Sequence, residues 1–147
     1  MRFMLLLKGD PQADQQGYAQ PPEGLIEAML RYNEELTKAG VLLAAEGLHP
    51  SSSGARVVYS GGSKRVVDGP FAEAKELVAG FYLIQVKSME EAIEWAKRCP
   101  VEYANPPAGE EAVVEVRLVG EIEDLTEATA DQRATERRIR DQAASRS

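Results

Sequence analysis

The sequence predicts an α+β domain in which an antiparallel sheet carries both helices on one face, a split βαβ arrangement with an inserted β-hairpin. Two observations predict it. Short apolar runs and helical periodicities follow one another in the order strand, helix, strand, hairpin, strand, helix, strand. In addition, a chain of 147 residues is long enough for one hydrophobic core and requires no second domain.

The first third of the chain predicts two strands around a long helix. Arg2 to Lys8 is a short apolar run that ends at a Gly-Asp-Pro turn, as a strand would. Residues 12–22 are rich in Gln, Gly and Pro and have no period, which predicts a loop. From Glu23 to Ala39 the apolar residues recur at helical spacing, and Gly40 is placed to end the helix. Val41 to Ala45 is then the second strand.

The middle of the chain predicts a hairpin, a tight turn and a third main strand. Arg56 to Ser60 and Lys64 to Val67 are short β-branched runs joined by Gly61-Gly62, whose tolerance of positive φ suits a hairpin. The stretch from Asp68 to Val86 follows. It joins an Asp-Gly-Pro turn and a short charged helical turn to the apolar run from Ala79, which we interpret as a strand.

A second helix and a last strand follow. Ser88 and Glu91 form a capping-box pattern that can satisfy exposed amides at a helix start. The helix is predicted over Met89 to Arg98, and Pro100 stops it. From Ala112 to Val119, valine and leucine alternate with charged residues, as in a strand with one buried face.

Beyond Gly120 the composition changes. Residues 121–147 contain no aromatic residue, and their seven acidic and five basic residues suit a solvated element. We therefore expect a domain over residues 1–119 and a charged helical or disordered tail over residues 120–147. The arginines of the tail alternate with acidic residues, which favours a solvated or inter-subunit helix over an RNA-binding arm.

Composition narrows the classes of partner and compartment. The net charge of −7 and the isoelectric point near 4.8 argue against nucleic acid and anionic membranes, which both favour basic surfaces. The single cysteine, Cys99, cannot form an internal disulfide, in agreement with a reducing compartment. No apolar run has the length of a membrane span, and the N-terminal run is too short for a signal peptide. We expect a cytoplasmic protein whose partner is a small molecule or another protein.

Several stretches carry a family resemblance. MLLLKGD, AGVLLAAEGL, DGPFAEAKE with GFYLI, EEAIEWAKRCP and VVEVRLV resemble segments of the YCII-related proteins, in particular the branch named after its DGPF tetrapeptide. The resemblance covers roughly residues 1 to 119. It implies a ferredoxin-like α+β domain that dimerises through its sheets, the dimeric α+β barrel type. A homodimer would also cover the sheet face that the helices leave open.

Two residues are candidates for catalysis. His49, the only histidine, follows the second strand and can move protons near pH 7, although it can equally be an exposed loop residue. The resemblance implies a histidine paired with the signature aspartate, here Asp68. Because the first strand and first helix contain no histidine, either His49 supplies that pair or the pair is absent. Asp68 can also cap its own turn or the helical turn over residues 72–76, and the two roles are compatible.

Five further residues are candidates for ligand binding. Glu46 and Glu115 interrupt apolar strands and could act as acid or base in a pocket, but Glu115 can also pair with the arginine two residues on. Tyr82 can line a cavity or pack in the core. Lys75 can bind a carboxylate or belong to a solvated helix face. Tyr18 is the one large side chain of the long loop and could close a pocket beside the signature turn.

Absent motifs leave two classes of function. The sequence has no glycine-rich phosphate loop, no zinc-binding cluster and no GxSxG turn, so we expect no cofactor and no metal. An enzyme would then perform acid/base chemistry, an isomerisation or elimination, on a small phenolic or carboxylated substrate. The alternative is a non-catalytic binding or regulatory module, since DGPF proteins resemble accessory products found beside alternative sigma factors. The sequence leaves open whether the protein is an enzyme.

Overall fold

The computed structural model describes residues 1–9, 21–73, 77–104 and 111–146. Within these ranges no helix has both the length and the apolar composition of a membrane span. In this part of the chain, short 3₁₀ turns occur at Ser51–Ser53, Val101–Ala104 and Ile122–Asp124. The strands are β1 (Arg2–Lys8), β2 (Leu42–Gly47), β3 (Ala55–Ser60), β4 (Ser63–Asp68), β5 (Val78–Gln85) and β6 (Val114–Leu118). The helices are α1 (Leu25–Lys38), α2 (Met89–Arg98) and α3 (Ala130–Ala144).

The sheet has the predicted topology. Its four strands lie in the order β2-β5-β1-β6, and every neighbouring pair is antiparallel. β3 and β4 form a separate two-stranded hairpin between β2 and β5. This is the ferredoxin-like split βαβ arrangement with an inserted hairpin, so the predicted fold class is confirmed.

Helix α1 starts later than predicted because of one glycine. Gly24 has φ of 82°, a left-handed conformation that a right-handed helix cannot contain, and the helix therefore begins at Leu25. Gly40, with φ of 72°, follows the C-cap residue Ala39 and redirects the chain into β2. Both ends of the helix are thus determined by backbone conformation and not by a side-chain cap.

Helix α2 is capped by a side chain. Ser88 Oγ accepts a hydrogen bond from the amide of Glu91 at 3.2 Å, as the capping-box pattern predicts. The carboxylate of Glu91 reaches back one residue further than expected, to the amide of Lys87 at 2.9 Å. At the other end of the helix, Arg98 pairs with Glu35 of α1 and stacks on Trp95. These contacts join the two helices as one layer.

Both helices cover the same face of the sheet. Alternate residues of the central strand β1, Phe3 and Leu5, are fully buried, and Ile84 on β5 lies opposite Phe3. Leu36 of α1 and Ala92 of α2 complete the same cluster. The side chains between them in β1 point the other way, since consecutive side chains of a strand alternate. One face of the sheet therefore forms the core, and the other lacks a covering layer in the described structure.

Two tyrosines and the cysteine lie at the centre of this core. The rings of Tyr32 and Tyr82 meet edge to face with centroids 5.2 Å apart. The hydroxyl of Tyr32 donates to the carbonyl of Trp95 at 2.7 Å, and that of Tyr82 donates to Asn33 Oδ1 at 2.5 Å. Burial, and next the nearby Cys99, raises the pKa of both phenols above its usual value of 10.0. Burial, and next Glu102, raises the pKa of the Cys99 thiol from 9.0 to about 12.

The chain after β6 is tied back to β1 by an ion pair. The guanidinium of Arg2 donates to both carboxylate oxygens of Glu121 at 2.7 and 2.8 Å, and this bidentate contact lowers the pKa of Glu121. Arg133 of α3 donates to the carbonyls of Ile122 and Leu125, so the helix is attached to the preceding 3₁₀ turn. Helix α3 has no buried residue.

Truncation of Leu36 tests the helix layer. Leu36→Ala should lower the free energy of unfolding by about 2–5 kcal/mol, because the side chain is fully buried between α1 and the sheet. Leu30→Ala, on the same helix with 57% of the residue exposed, should change it by less than about 0.5 kcal/mol. Urea denaturation of both variants gives the comparison. Equal losses would mean that α1 does not bury the predicted face.

The buried cluster predicts an unfolding free energy that falls at alkaline pH. Cys99, Tyr32 and Tyr82 stay protonated in the folded protein at pH values where the unfolded chain has begun to lose these protons. Their stabilising effect is complete below about pH 9 and is lost as the pH rises toward 12. The free energy of unfolding should fall by about 1.4 kcal/mol per pH unit for each such group.

Urea denaturation across this pH range measures the slope. Cys99→Ala should remove the part of the slope that begins nearest pH 9, because the thiol has the lowest ordinary pKa of the three, 9.0 against 10.0. A constant free energy of unfolding across the window would show that the three groups are not buried as described.

Candidate functional site

The residues with the most recognisable sequence lie where the hairpin leaves the sheet. We call this region the signature junction; it consists of residues 48–54, which precede β3, and residues 68–71, which are the last residue of β4 and the three that follow it. The amide of Gly69 donates to the carbonyl of Gly54 at 3.0 Å, and the amide of Phe71 donates to Ser51 Oγ at 3.0 Å. A Cβ atom at Gly69 would collide with the backbone of Ser51. The two segments therefore pack backbone against backbone, which requires glycine at position 69.

Both predicted catalytic residues belong to the signature junction. Asp68 is the last residue of β4, lies opposite Ala55 and is exposed. Within the described ranges its carboxylate has no hydrogen-bond or ion-pair partner. His49 is exposed on the facing segment, two residues before Ser51. The structure thus brings the segments of the two residues together.

Two further residues, one in the junction and one beside it on β3, were not singled out from the sequence. Ser51 accepts a hydrogen bond from the turn amide that Asp68 was expected to bind, and it is the first of three consecutive serines. The guanidinium of Arg56 lies over the ring of Phe71, with its central carbon 3.8 Å from the ring centroid. No local pattern in the sequence indicates this stacking, because it joins residues on opposite sides of the hairpin.

Part of the predicted site lies outside the described residues. Tyr18 and Lys75 both fall there, as does most of the loop over residues 12–22. Pro70 to Glu73 have no helical conformation, and the remaining residues of the predicted helical turn, 74–76, are also outside the description. A cap from Asp68 to that turn stays a prediction.

Glu46 and Glu115 lie on the sheet face opposite the helices. Strand register places Glu46 opposite Phe81, Phe81 opposite Leu6, and Leu6 opposite Glu115. These four residues form one row across the sheet, with a glutamate at each edge. Three strand spacings separate the two glutamates by about 14 Å between backbones, too far for them to share a proton. Their arrangement is an apolar centre between acidic edges.

Glu115 also forms an ion pair with Arg117, two residues further along the strand, as its spacing allowed. Arg117 Nη1 lies 3.3 Å from Glu115 Oε2; the side chain of Arg117 is largely exposed and that of Glu115 is partly exposed. Arg117 belongs to the next row of the same face, opposite Met4, and Met4 lies opposite Leu83. The uncovered sheet face therefore consists of half-buried apolar residues with charges at its edges. We call it the open face: Met4, Leu6, Phe81, Leu83, Glu46, Glu115 and Arg117.

Tyr82 does not belong to the open face. It points into the helix layer, where only 4% of the residue is exposed and its hydroxyl is bound by Asn33. Its contacts are those of a core residue, the alternative that the sequence left open.

Two shallow depressions occur elsewhere on the described surface. One, of about 340 Å³, follows α1 beside Leu30 and Thr37. The other, of about 170 Å³, lies between α1 and the 3₁₀ turn that contains Tyr103. Neither contains Asp68 or His49 in its lining. Among the described His, Cys, Asp and Glu side chains, no group of three or more is placed to hold a metal ion.

Comparison with known proteins gives the family. An uncharacterized protein of Rhizobium meliloti (strain 1021) is 31% identical over 109 residues, which are 74% of this chain and 86% of that protein. The solved structure of 5-chloro-2-hydroxyhydroquinone dehydrochlorinase from Burkholderia phenoliruptrix AC1100, in complex with 2,5-dihydroxybenzoquinone, is also similar. It has 15% identity and a TM-score of 0.46, over 84% of this chain and 97% of that one, a likeness that carries no argument about activity. The model of the YCII-related domain matches residues 1–123, and this chain therefore belongs to the YCII-related family.

Proposed function

We propose that the protein binds a small phenolic or carboxylated molecule at the signature junction, as a homodimer, and transfers protons on it without a cofactor. The observation that carries this proposal is the hydrogen bond from the amide of Phe71 to Ser51 Oγ. Because Ser51 satisfies this turn amide, Asp68 is not needed for it. An exposed carboxylate with no partner among the described residues can accept a proton from a ligand.

The neighbourhood of Asp68 supports the same proposal. His49 lies on the facing segment, and an imidazole there can act as a general acid or base. Arg56 brings a permanent positive charge to the junction, stacked on Phe71. A cation at this position suits a carboxylate, which is an anion at neutral pH, and it also favours the phenolate form of a phenol.

A homodimer is proposed from the open face. Met4, Leu6, Phe81 and Leu83 form adjoining rows of apolar side chains, which would remain in water in a monomer. Glu46 and Arg117 lie at opposite edges of this face and in neighbouring rows. When two copies of such a face meet around a two-fold axis, unlike charges of the two copies can lie opposite each other. The glutamates would then belong to the rim of the interface.

Solvent-deuterium exchange tests the proposed chemistry. Ligand-observed NMR against a panel of phenols and small carboxylates would first identify bound compounds, and their C–H signals would then be followed in D₂O. Asp68→Asn and His49→Gln should each lower the catalysed exchange rate by about 100-fold or more, the usual contribution of a positioned acid or base. Glu73→Gln, an equal charge change five residues from Asp68, should leave the rate unchanged.

The alternatives have different signatures in this experiment. Binding without exchange, or exchange indifferent to Asp68, would contradict the acid/base role and leave a binding protein. No ligand in the panel, together with a stoichiometric protein partner in a pull-down, would favour the regulatory module.

Introduction of a charge on the open face tests the homodimer. Leu83→Asp should convert a dimer to a monomer, because it places a carboxylate at the apolar centre of the proposed interface. Leu118→Asp is the matched control, since Leu118 lies opposite Phe3 and so on the helix-covered face, at the edge of the sheet. Light scattering after size-exclusion chromatography gives the mass of each. A wild-type protein that is monomeric at micromolar concentration would contradict the proposal.

A further inference from the structure

One face of the β3–β4 hairpin is an exposed apolar strip. Val57 and Val66 lie directly opposite each other, and Tyr59 is the next residue of β3 on the same face. They are 68%, 66% and 69% exposed, respectively. Exposure of these three side chains to water is unfavourable. In addition, an isolated two-stranded hairpin is only marginally stable unless its apolar face packs against another surface.

The other face of the hairpin is already in use. Arg56, Val58 and Val67 are half-buried there, and Arg56 stacks on Phe71 of the signature junction. In the described structure neither strand is hydrogen-bonded to the four-stranded sheet. The hairpin is thus attached at its root and by one face only.

The hairpin is also long and well defined. Six residues in each strand give it a length of about 20 Å. Gly61 and Gly62 have φ of 61° and 82°, the positive values of a tight two-residue turn that matches the twist of the strands. An arm of this kind can reach beyond the domain that carries it.

Charge indicates what the strip would contact. The hairpin, residues 55–68, contains three basic residues, Arg56, Lys64 and Arg65, and one acidic residue, Asp68, so it has a charge of +2. The whole chain has −7, and the remaining residues therefore carry −9. A basic arm on an acidic body is complementary to a second acidic body of the same kind. A nucleic acid would match the arm, but the rest of the protein would repel it.

We propose that the strip of Val57, Tyr59 and Val66 docks on a second copy of this chain, so that the hairpin of each protomer packs against the other protomer. This inference rests on the proposed homodimer and adds a second contact region to it. The apolar strip supplies the buried area. Lys64, exposed on the same face as the strip, and the exposed Arg65 favour the acidic body of the other copy.

Photo-crosslinking tests the docking. Benzoylphenylalanine replaces Tyr59, and the variant is mixed in equal amounts as unlabelled and ¹⁵N-labelled protein before illumination. Cross-linked peptides that join a labelled to an unlabelled chain are the expected result. The same substitution at Tyr103, which is 40% exposed, is the control and should give no such peptides. Cross-links confined to one chain, or formed with nucleic acid, would overturn the inference.

Dimer dissociation constants separate this inference from the homodimer itself. Val57→Ser with Val66→Ser should weaken dimerisation by about 100-fold, because two buried valines are lost from each arm. Ile26→Ser with Leu30→Ser is matched in number and exposure and should have no effect, since α1 lies on the opposite side of the sheet from the open face. Circular dichroism checks that both double variants are folded.

Sedimentation equilibrium measures these dissociation constants, and its possible outcomes distinguish the two proposals. If the wild-type protein is a dimer and both double variants dimerise equally well, the proposed docking of the hairpin is wrong and the proposed homodimer is retained. If the wild-type protein is monomeric, both proposals fail. If the hairpin variant does not fold, the cross-link from Tyr59 alone decides.

Discussion

The structure depends on the position of β1 at the centre of the sheet, between β5 and β6. Because its side chains alternate, Phe3 and Leu5 enter the helix layer while Met4 and Leu6 point to the other side. A strand that is apolar on both sides requires two covering layers, and the helices of one chain supply one. The charged tail is a poor substitute for the second layer, since α3 has no buried residue. The proposed dimer interface is therefore a consequence of the composition of β1.

The signature junction shows how backbone packing leaves a side chain available for chemistry. Contact between Gly69 and Ser51 brings the ends of the hairpin together, and Ser51 satisfies the amide of the turn. In many turns an aspartate has this role, and its carboxylate is then occupied. Here the glycine and the serine hold the backbone, so Asp68 can remain exposed without loss of the turn. This division of roles is the strongest physical reason to regard Asp68 as more than a structural residue.

Local patterns predicted the elements, and non-local contacts decided the site. The helical spacing that ends at Leu36 and the capping pattern at Ser88 were sufficient for the helices, because both depend on residues within a few positions of each other. The hydrogen bond between Phe71 and Ser51 joins residues 20 positions apart, across the whole hairpin. The row that contains Glu46 and Glu115 needs the register of four strands. Neither this hydrogen bond nor the strand register follows from spacing along the chain. Ser51 was therefore missed, and Glu46 and Glu115 were grouped as one site.

The open face and the apolar strip of the hairpin are both exposed apolar surfaces that the same second copy could cover. β2 is the edge strand of the sheet, and the chain passes from it through the signature junction directly into the hairpin. A second copy that covered the open face would therefore lie near the root of the hairpin, and an arm of about 20 Å is long enough to extend along it. The junction would then lie at the margin of the proposed interface, where residues of both copies could enclose a ligand. On this argument the depressions found on one chain need not include the binding site, since the walls of a pocket at a dimer margin come from two chains.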